Sequence, residues 1–208
     1  MNTATPLASA ATLLKREVFM DHRLGVMVWP VGPGEQHISA DDSLMIATTL
    51  GSCIAVCLRD PQRGMGGLNH FMLPATTDGG TTLQLSNAAL YGDTAMEMLI
   101  NALMRAGCDR RRLEAKVFGG ARILAAQHSG VGERNIAFAT RFLLREGIPI
   151  RSMDTGGQTP RRVLFQPATG KALVQHIDPV ATDAIARRET RHEASISLRR
   201  PQSSVEFF

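Results

Sequence analysis

Apolar and β-branched residues punctuated by Gly and Pro run from Arg23 to Gly32 (RLGVMVWPVG), a strand pattern. Within SLMIATTLGSCIAVCLRD the apolar run is nearly continuous from Leu44 to Leu58, as in one long β segment covered on both faces. DPQRG is a turn signal, and MGGLNHFML reads as the returning strand, its glycine pair marking a bulge or a close approach. AALYGDTAMEMLINALMRAG sets Leu90, Ala95, Leu99 and Leu103 near helical spacing, with Ser86 or Asn87 as cap and Gly107 as stop. LEAKVFGGARIL predicts a strand, a Gly-Gly corner and a short helix. ERNIAFATRFLLREGIPI predicts a second amphipathic helix ended by glycine, with a strand over Ile148–Met153. RRVLFQPATGKALVQHI predicts a hairpin. This order implies an α/β (α+β) single-domain layered sandwich, a mixed β-sheet with flanking helices. Residues 1–20 read as a flexible lead-in, 21–180 as the folded domain and 181–208 as a basic, flexible tail.

Composition narrows the classes. With 208 residues, 44% apolar and 20% charged, the chain suits one soluble domain with a sizeable core. No apolar run approaches the roughly 18 residues of a membrane span. The opening MNTATPLASAATLLKREVF lacks the positive start of a secretory leader, so a cytoplasmic location is expected. Three cysteines, Cys53, Cys57 and Cys108, imply reduced thiols, and their spacing does not suit a closed zinc site. The net charge of +4 is concentrated in part in RRETRHEASISLRR, Arg187–Arg200. Without an aromatic-rich strand motif or a reading helix, no nucleic-acid partner is expected.

Candidate chemistry gathers between Leu50 and Phe71. A hairpin turning on Asp60-Pro61-Gln62-Arg63 pairs Asp60 with Arg63 and, counting back, sets Cys53 directly opposite His70. Cβ atoms so placed lie roughly 4.5–5.5 Å apart, and a one-residue slip turns one of them to the other face. An imidazolium beside a thiol lowers its pKa from about 8.5 and yields a thiolate at neutral pH. Such a thiolate attacks a carbonyl carbon, the imidazole protonates the departing amine, and backbone N–H groups hold the oxyanion. Gly51 and Ser52 leave the thiol accessible in a solvent-reachable cleft, while Thr48, Thr49 and Asn69 are candidates to fix the imidazole tautomer. A cysteine in an apolar strand equally suits a core position, and residue types alone leave both readings open. His128, His176 and His192 have no comparable companion.

The motifs TTLGSCIAVCLRDP and GGLNHFMLP, followed in order by YGDTAMEMLINALMRAG, LEAKVFGGARIL, VGERNIAFATRFLLREGIPI and DTGGQTPRRVLFQPATGKALV, resemble the CheD family of chemoreceptor glutamine deamidases over about Leu24–Val174. The resemblance implies the layered fold of the cytotoxic necrotizing factor-type cysteine deamidases. It also implies hydrolysis of particular glutamine side chains on methyl-accepting chemotaxis receptors, without a cofactor. Cys53 then matches the nucleophile and His70 the general base and acid. Thr48 is the orienting residue, with Thr49 as the alternative. The implied partners are the receptors, through which alone the protein would meet a membrane, and a CheC-type phosphatase. Two other readings stand beside this one: a thiol amidase with a different target, and a non-catalytic module binding receptors or such a phosphatase. FGGAR (Phe118–Arg122) suits a tight corner better than an anion site. DTGG (Asp154–Gly157) is a turn signal that could shape a groove, and Arg161 and Arg162 could meet acidic receptor surface.

Overall fold

A computed structural model describes residues 17–74, 82–123 and 130–198. Strands β1 (Phe19–Asp21), β2 (Val26–Pro30), β3 (Gln36–Ser39), β4 (Leu44–Leu50), β5 (Ile54–Asp60) and β6 (Met65–Phe71) come first. Helix α1 (Thr82–Arg105), β7 (Glu114–Gly119), α2 (Val131–Arg145), β8 (Ile150–Thr155), β9 (Arg161–Phe165), β10 (Ala172–His176) and α3 (Pro179–Leu198) follow. The strands form two mixed sheets rather than one, ordered β1-β2-β4-β9-β10 and β3-β6-β5-β7-β8.

Side-chain alternation sorts these sheets into layers. Ile46 and Leu50 of β4, Ala55 and Cys57 of β5, Leu68 of β6, and Val163 and Phe165 of β9 share one buried cluster between the sheets. The opposite rows of the second sheet, including Ile54, Val56, Leu58 and Val117, pack on Met96, Leu99 and Leu103 of α1 and on Phe138 and Phe142 of α2. Burying a Leu, Ile or Phe in such a layer is worth about 1.5–3 kcal/mol each. The near-continuous apolar run is thus explained, for β5 is covered on both faces.

Several boundaries differ from the sequence pattern. The predicted long strand is two, β4 and β5, in different sheets, because the chain crosses between layers at Gly51–Cys53. α1 begins at Thr82, ahead of Ser86 and Asn87. It ends as expected: Gly107 has φ 90°, and the Cys108 and Gly107 N–H groups donate to the carbonyls of Leu103 (3.1 Å) and Met104 (2.9 Å). The range read as a tail contains α3. Its inner face carries Thr182, Ala186, Glu189 and Ile196, too polar a stripe to register as an apolar period. β1 starts inside the range read as a lead-in, and Ala121–Ile123, the described part of the short helix predicted after the Gly-Gly corner, are not helical. His128 and the residues before 17 lie outside the described residues.

The β5–β6 hairpin corrects the predicted register. Asp60 pairs with Met65 and Ala55 with His70, so the loop is Pro61–Gly64, four residues long. Asp60 Oδ1 accepts from the N–H groups of Gln62 (3.0 Å) and Arg63 (3.3 Å), and Gly64 takes φ 60°. The pairing has no bulge. The glycines instead serve close approach: a Cβ on Gly66 would sit 2.5 Å from the Leu58 carbonyl oxygen, and one on Gly67 2.6 Å from that of His37.

Candidate active site

A two-residue shift in register preserves the face, because the side-chain period of a strand is two. Cys53, one residue before β5, packs in the same inward cluster as Ala55, His70's cross-strand partner, and the ladder extended by one residue sets it diagonal to His70 instead of opposite. Diagonal neighbours have backbones about 7–8 Å apart, a gap within reach of an aromatic ring. β4 of the other sheet contributes Thr48, whose hydroxyl is 2.7 Å from His70 Nδ1 and 2.8 Å from the Val31 carbonyl oxygen. A carbonyl only accepts and a hydroxyl has one proton, so both contacts form only if Thr48 donates to Val31 and Nδ1–H donates to Thr48. That places the proton on Nδ1 and leaves Nε2 as the basic nitrogen.

The other proposed orienters face elsewhere. Asn69 lies on the opposite face of β6, where its amide takes the Val56 N–H (3.0 Å) and donates to the Ala95 carbonyl (3.0 Å). Thr49 alternates away from Thr48 along β4, beside Arg162 of β9.

Around Cys53 the backbone polarity is sorted. The Gly120 and Ala121 N–H groups donate to the carbonyls of Cys53 and Gly51, each at 2.7 Å, and Asn135 Nδ2 donates to the Ser52 carbonyl at 2.8 Å. Asn135 is fully buried on α2, and its Oδ1 accepts from the Leu73 N–H at 2.9 Å. With the carbonyls tied on one side, the N–H groups of Gly51, Ser52 and Cys53 turn to the other and form an anion-binding nest. Glu189 of α3 fills it. Its carboxylate accepts from the N–H groups of Gly51 (2.8 Å), Ser52 (2.8 Å) and Cys53 (3.3 Å), and from the Ser52 hydroxyl (2.7 Å). FGGAR is thus a corner whose amides brace the nest, with Gly119 at φ 108° and Gly120 at φ 71°.

The expected open cleft is closed: Cys53 is 0% exposed and His70 2%. α3 lies across the Gly51–Cys53 turn, with Ala186 and Ile185 packed on Ala121 and Ile123. The other two thiols are also buried. Burial pushes the Cys57 thiol far above its ordinary range, and it raises that of Cys108 as well. Arg161 is unavailable to a receptor, being 2% exposed and paired with the Asp154 carboxylate and the Gly156 carbonyl. Arg162, partly exposed, pairs with Asp21 at 3.2 Å.

Known proteins match this chain over nearly its whole length. Residues 72–176 fit the family model described as CheD chemotactic sensory transduction. A Hydrogenovibrio crunogenus protein named "Probable chemoreceptor glutamine deamidase CheD" is 39% identical over 91% of this chain and 98% of its own. The chain belongs to the CheD family. A Caulobacter vibrioides relative of the same name is 53% identical over 68% of this chain and 73% of its own. Among solved structures, a Neisseria meningitidis protein of the DUF152 family matches at TM-score 0.40 and 12% identity, over 66% of this chain and 65% of that one. Sequence reasoning about this CheD-family chain missed Glu189 and Asn135. Neither lies near Cys53 in sequence, and only the Asn, buried among apolar helix neighbours, carried any signal.

Proposed function

We propose that this chain hydrolyses glutamine side chains of chemoreceptors to glutamate, with Cys53 as nucleophile, His70 as base and acid, and Thr48 as the residue that aims the imidazole. The observation that carries the reading is the imidazole of His70, its tautomer fixed by Thr48 and Val31, on the inward row that also holds Cys53. Nε2 takes the thiol proton, and the sulfur bonds to the side-chain carbonyl carbon. The negative oxygen of the tetrahedral adduct is held by nest N–H groups, among them that of Cys53 itself. His70 then gives its proton to the nitrogen, the C–N bond breaks and ammonia leaves. Water, deprotonated by His70, attacks the thioester, and the C–S bond breaks to give a carboxylate where a neutral amide stood.

The family names carried by the relatives support chemoreceptors as substrates. None of the described helices is long and apolar enough to cross a membrane, and the reaction is assigned to the cytoplasmic part of the receptors. A CheC-type phosphatase is a second partner. One observation favours a binding module instead: the complete burial of Cys53. Peptide masses of a receptor cytoplasmic fragment decide between them. Each converted glutamine gains about 1 Da through the thiol route, with the wild-type chain and not with Cys53→Ala. Equal masses after either protein, at enzyme concentrations matching the receptor's, overturn the proposal.

A further inference from the structure

The nest at Cys53 is complete without α3. Its carbonyls are braced by Gly120, Ala121 and Asn135, all from the body of the fold. What occupies it is a glutamate carboxylate presented from the side of a helix. In size and shape that group is the product of glutamine deamidation, and it differs from the substrate only by oxygen in place of an NH₂. The approach is close. A Cβ on Gly51 would meet Glu189 Oε2 at 2.9 Å and Ile123 Cδ1 at 2.7 Å, so glycine here makes room for the incoming carboxylate.

Other described side chains of α3 also meet the body of the fold. Thr182, Ala186 and Ile196 are buried on it, Ile185 and His192 half-buried, and Arg187, Arg188 and Arg191 face outward. Among the described side chains of α3, Glu189 supplies the hydrogen bonds to the Gly51–Cys53 turn, and Ile196, Ala186 and Ile185 add apolar contacts.

We propose that α3 is a built-in competitor of the substrate: it seats Glu189 where the glutamate formed on a receptor would sit, and a receptor segment reaches Cys53 only by displacing it. The proposal rests on the deamidase reading above. Because the competitor is tethered, its effective concentration is about millimolar. A dilute substrate loses to it, and one supplied at high local density prevails.

The test uses the full chain with Glu189→Ala and with Glu189→Gln. Iodoacetamide labelling is mapped by peptide mass, and deamidation of a receptor cytoplasmic fragment is followed in parallel. In Glu189→Ala, labelling of Cys53 and the initial deamidation rate should both rise about fivefold or more as the open fraction grows, with Cys57 and Cys108 still protected. In Glu189→Gln the introduced carboxamide is itself placed at the thiolate. It should be hydrolysed in cis, water supplying the oxygen and ammonia leaving, with a gain of about 1 Da at position 189 that vanishes when Cys53→Ala is added.

Unchanged Cys53 labelling and unchanged turnover in Glu189→Ala overturn the proposal. So does exposure of all three thiols together, which would make Glu189 a tie that holds the fold. A carboxamide at position 189 that stays intact while receptor glutamines are converted shows that Glu189 is not in the reacting position. Raised Cys53 labelling with no receptor conversion by any variant keeps α3 as the cover and removes the deamidase reading alone.

Discussion

The two ends of β5 each meet a buried carboxylate, and they satisfy it by opposite means. At the far end Asp60, 0% exposed, receives the Arg112 guanidinium at 2.7 Å and the N–H groups of Gln62, Arg63 and Asp109. At the near end Glu189 is held by three backbone amides and a hydroxyl, all uncharged. A full opposite charge from inside the domain fixes Asp60 as architecture, and the guanidinium holds its carboxyl well below the usual carboxylate range. Dipoles hold an anion without covalent or ionic commitment, so the same chemistry at the other end suits a group that comes and goes. On the proposed reading, the carboxylate with a resident cation belongs to the fold, and the one cradled by amides beside Cys53 occupies the reacting site.

Substitutions at each end should therefore separate activity from stability. The largest effect is expected for Cys53→Ala: deamidation falls by about 10³-fold or more, while urea unfolding shifts by no more than about 1 kcal/mol. A matching collapse of stability would erase the contrast. Thr48→Val should lower kcat by about 10- to 100-fold with little change in KM, read from steady-state rates on a receptor fragment, because the imidazole loses its orienting partner. Asp60→Asn should do the reverse. Arg112 loses its ionised partner, stability falls by about 2–3 kcal/mol, and turnover per folded molecule is unchanged.

The acid limb sharpens the same point. Asp60's folded pKa lies below its unfolded value of about 3.9, so its stabilisation is complete above that value and fades as pH falls through it toward the folded pKa. Urea midpoints taken from pH 6 down to 2 should show wild type and Asp60→Asn converging. The smallest effect is expected for Cys57→Ala. It should cost about 1 kcal/mol and no activity, since burial pushes that thiol up and keeps it protonated.

The sequence pattern placed Cys53, His70 and Thr48 in adjoining strands through features that are local: two apolar runs and one turn signal. It misjudged the turn, since a Pro-Gln loop and a Pro61–Gly64 loop differ only in whether Asp60 takes the following amides and Gly64 goes left-handed. The error was even, so the catalytic candidates stayed on one face. The switch of sheets at Gly51–Cys53 was hidden because β4 and β5 are equally apolar. Glu189 was illegible for a different reason. It docks 136 residues from Cys53 along the chain, on a helix whose inner stripe is polar, and no periodicity announces such a contact.

The hydrogen bond between Thr48 and His70 joins one sheet to the other across the seam between layers. Its length consequently gauges how the layers are stacked. A slide of about half an ångström is enough to misaim a catalytic group, and packing residues such as Leu68 and Phe165 set that alignment from within the seam. Trimming them is expected to blunt the proposed chemistry at temperatures where the domain is still folded, which makes the stacking of the layers, and not the strands alone, part of what aims this imidazole.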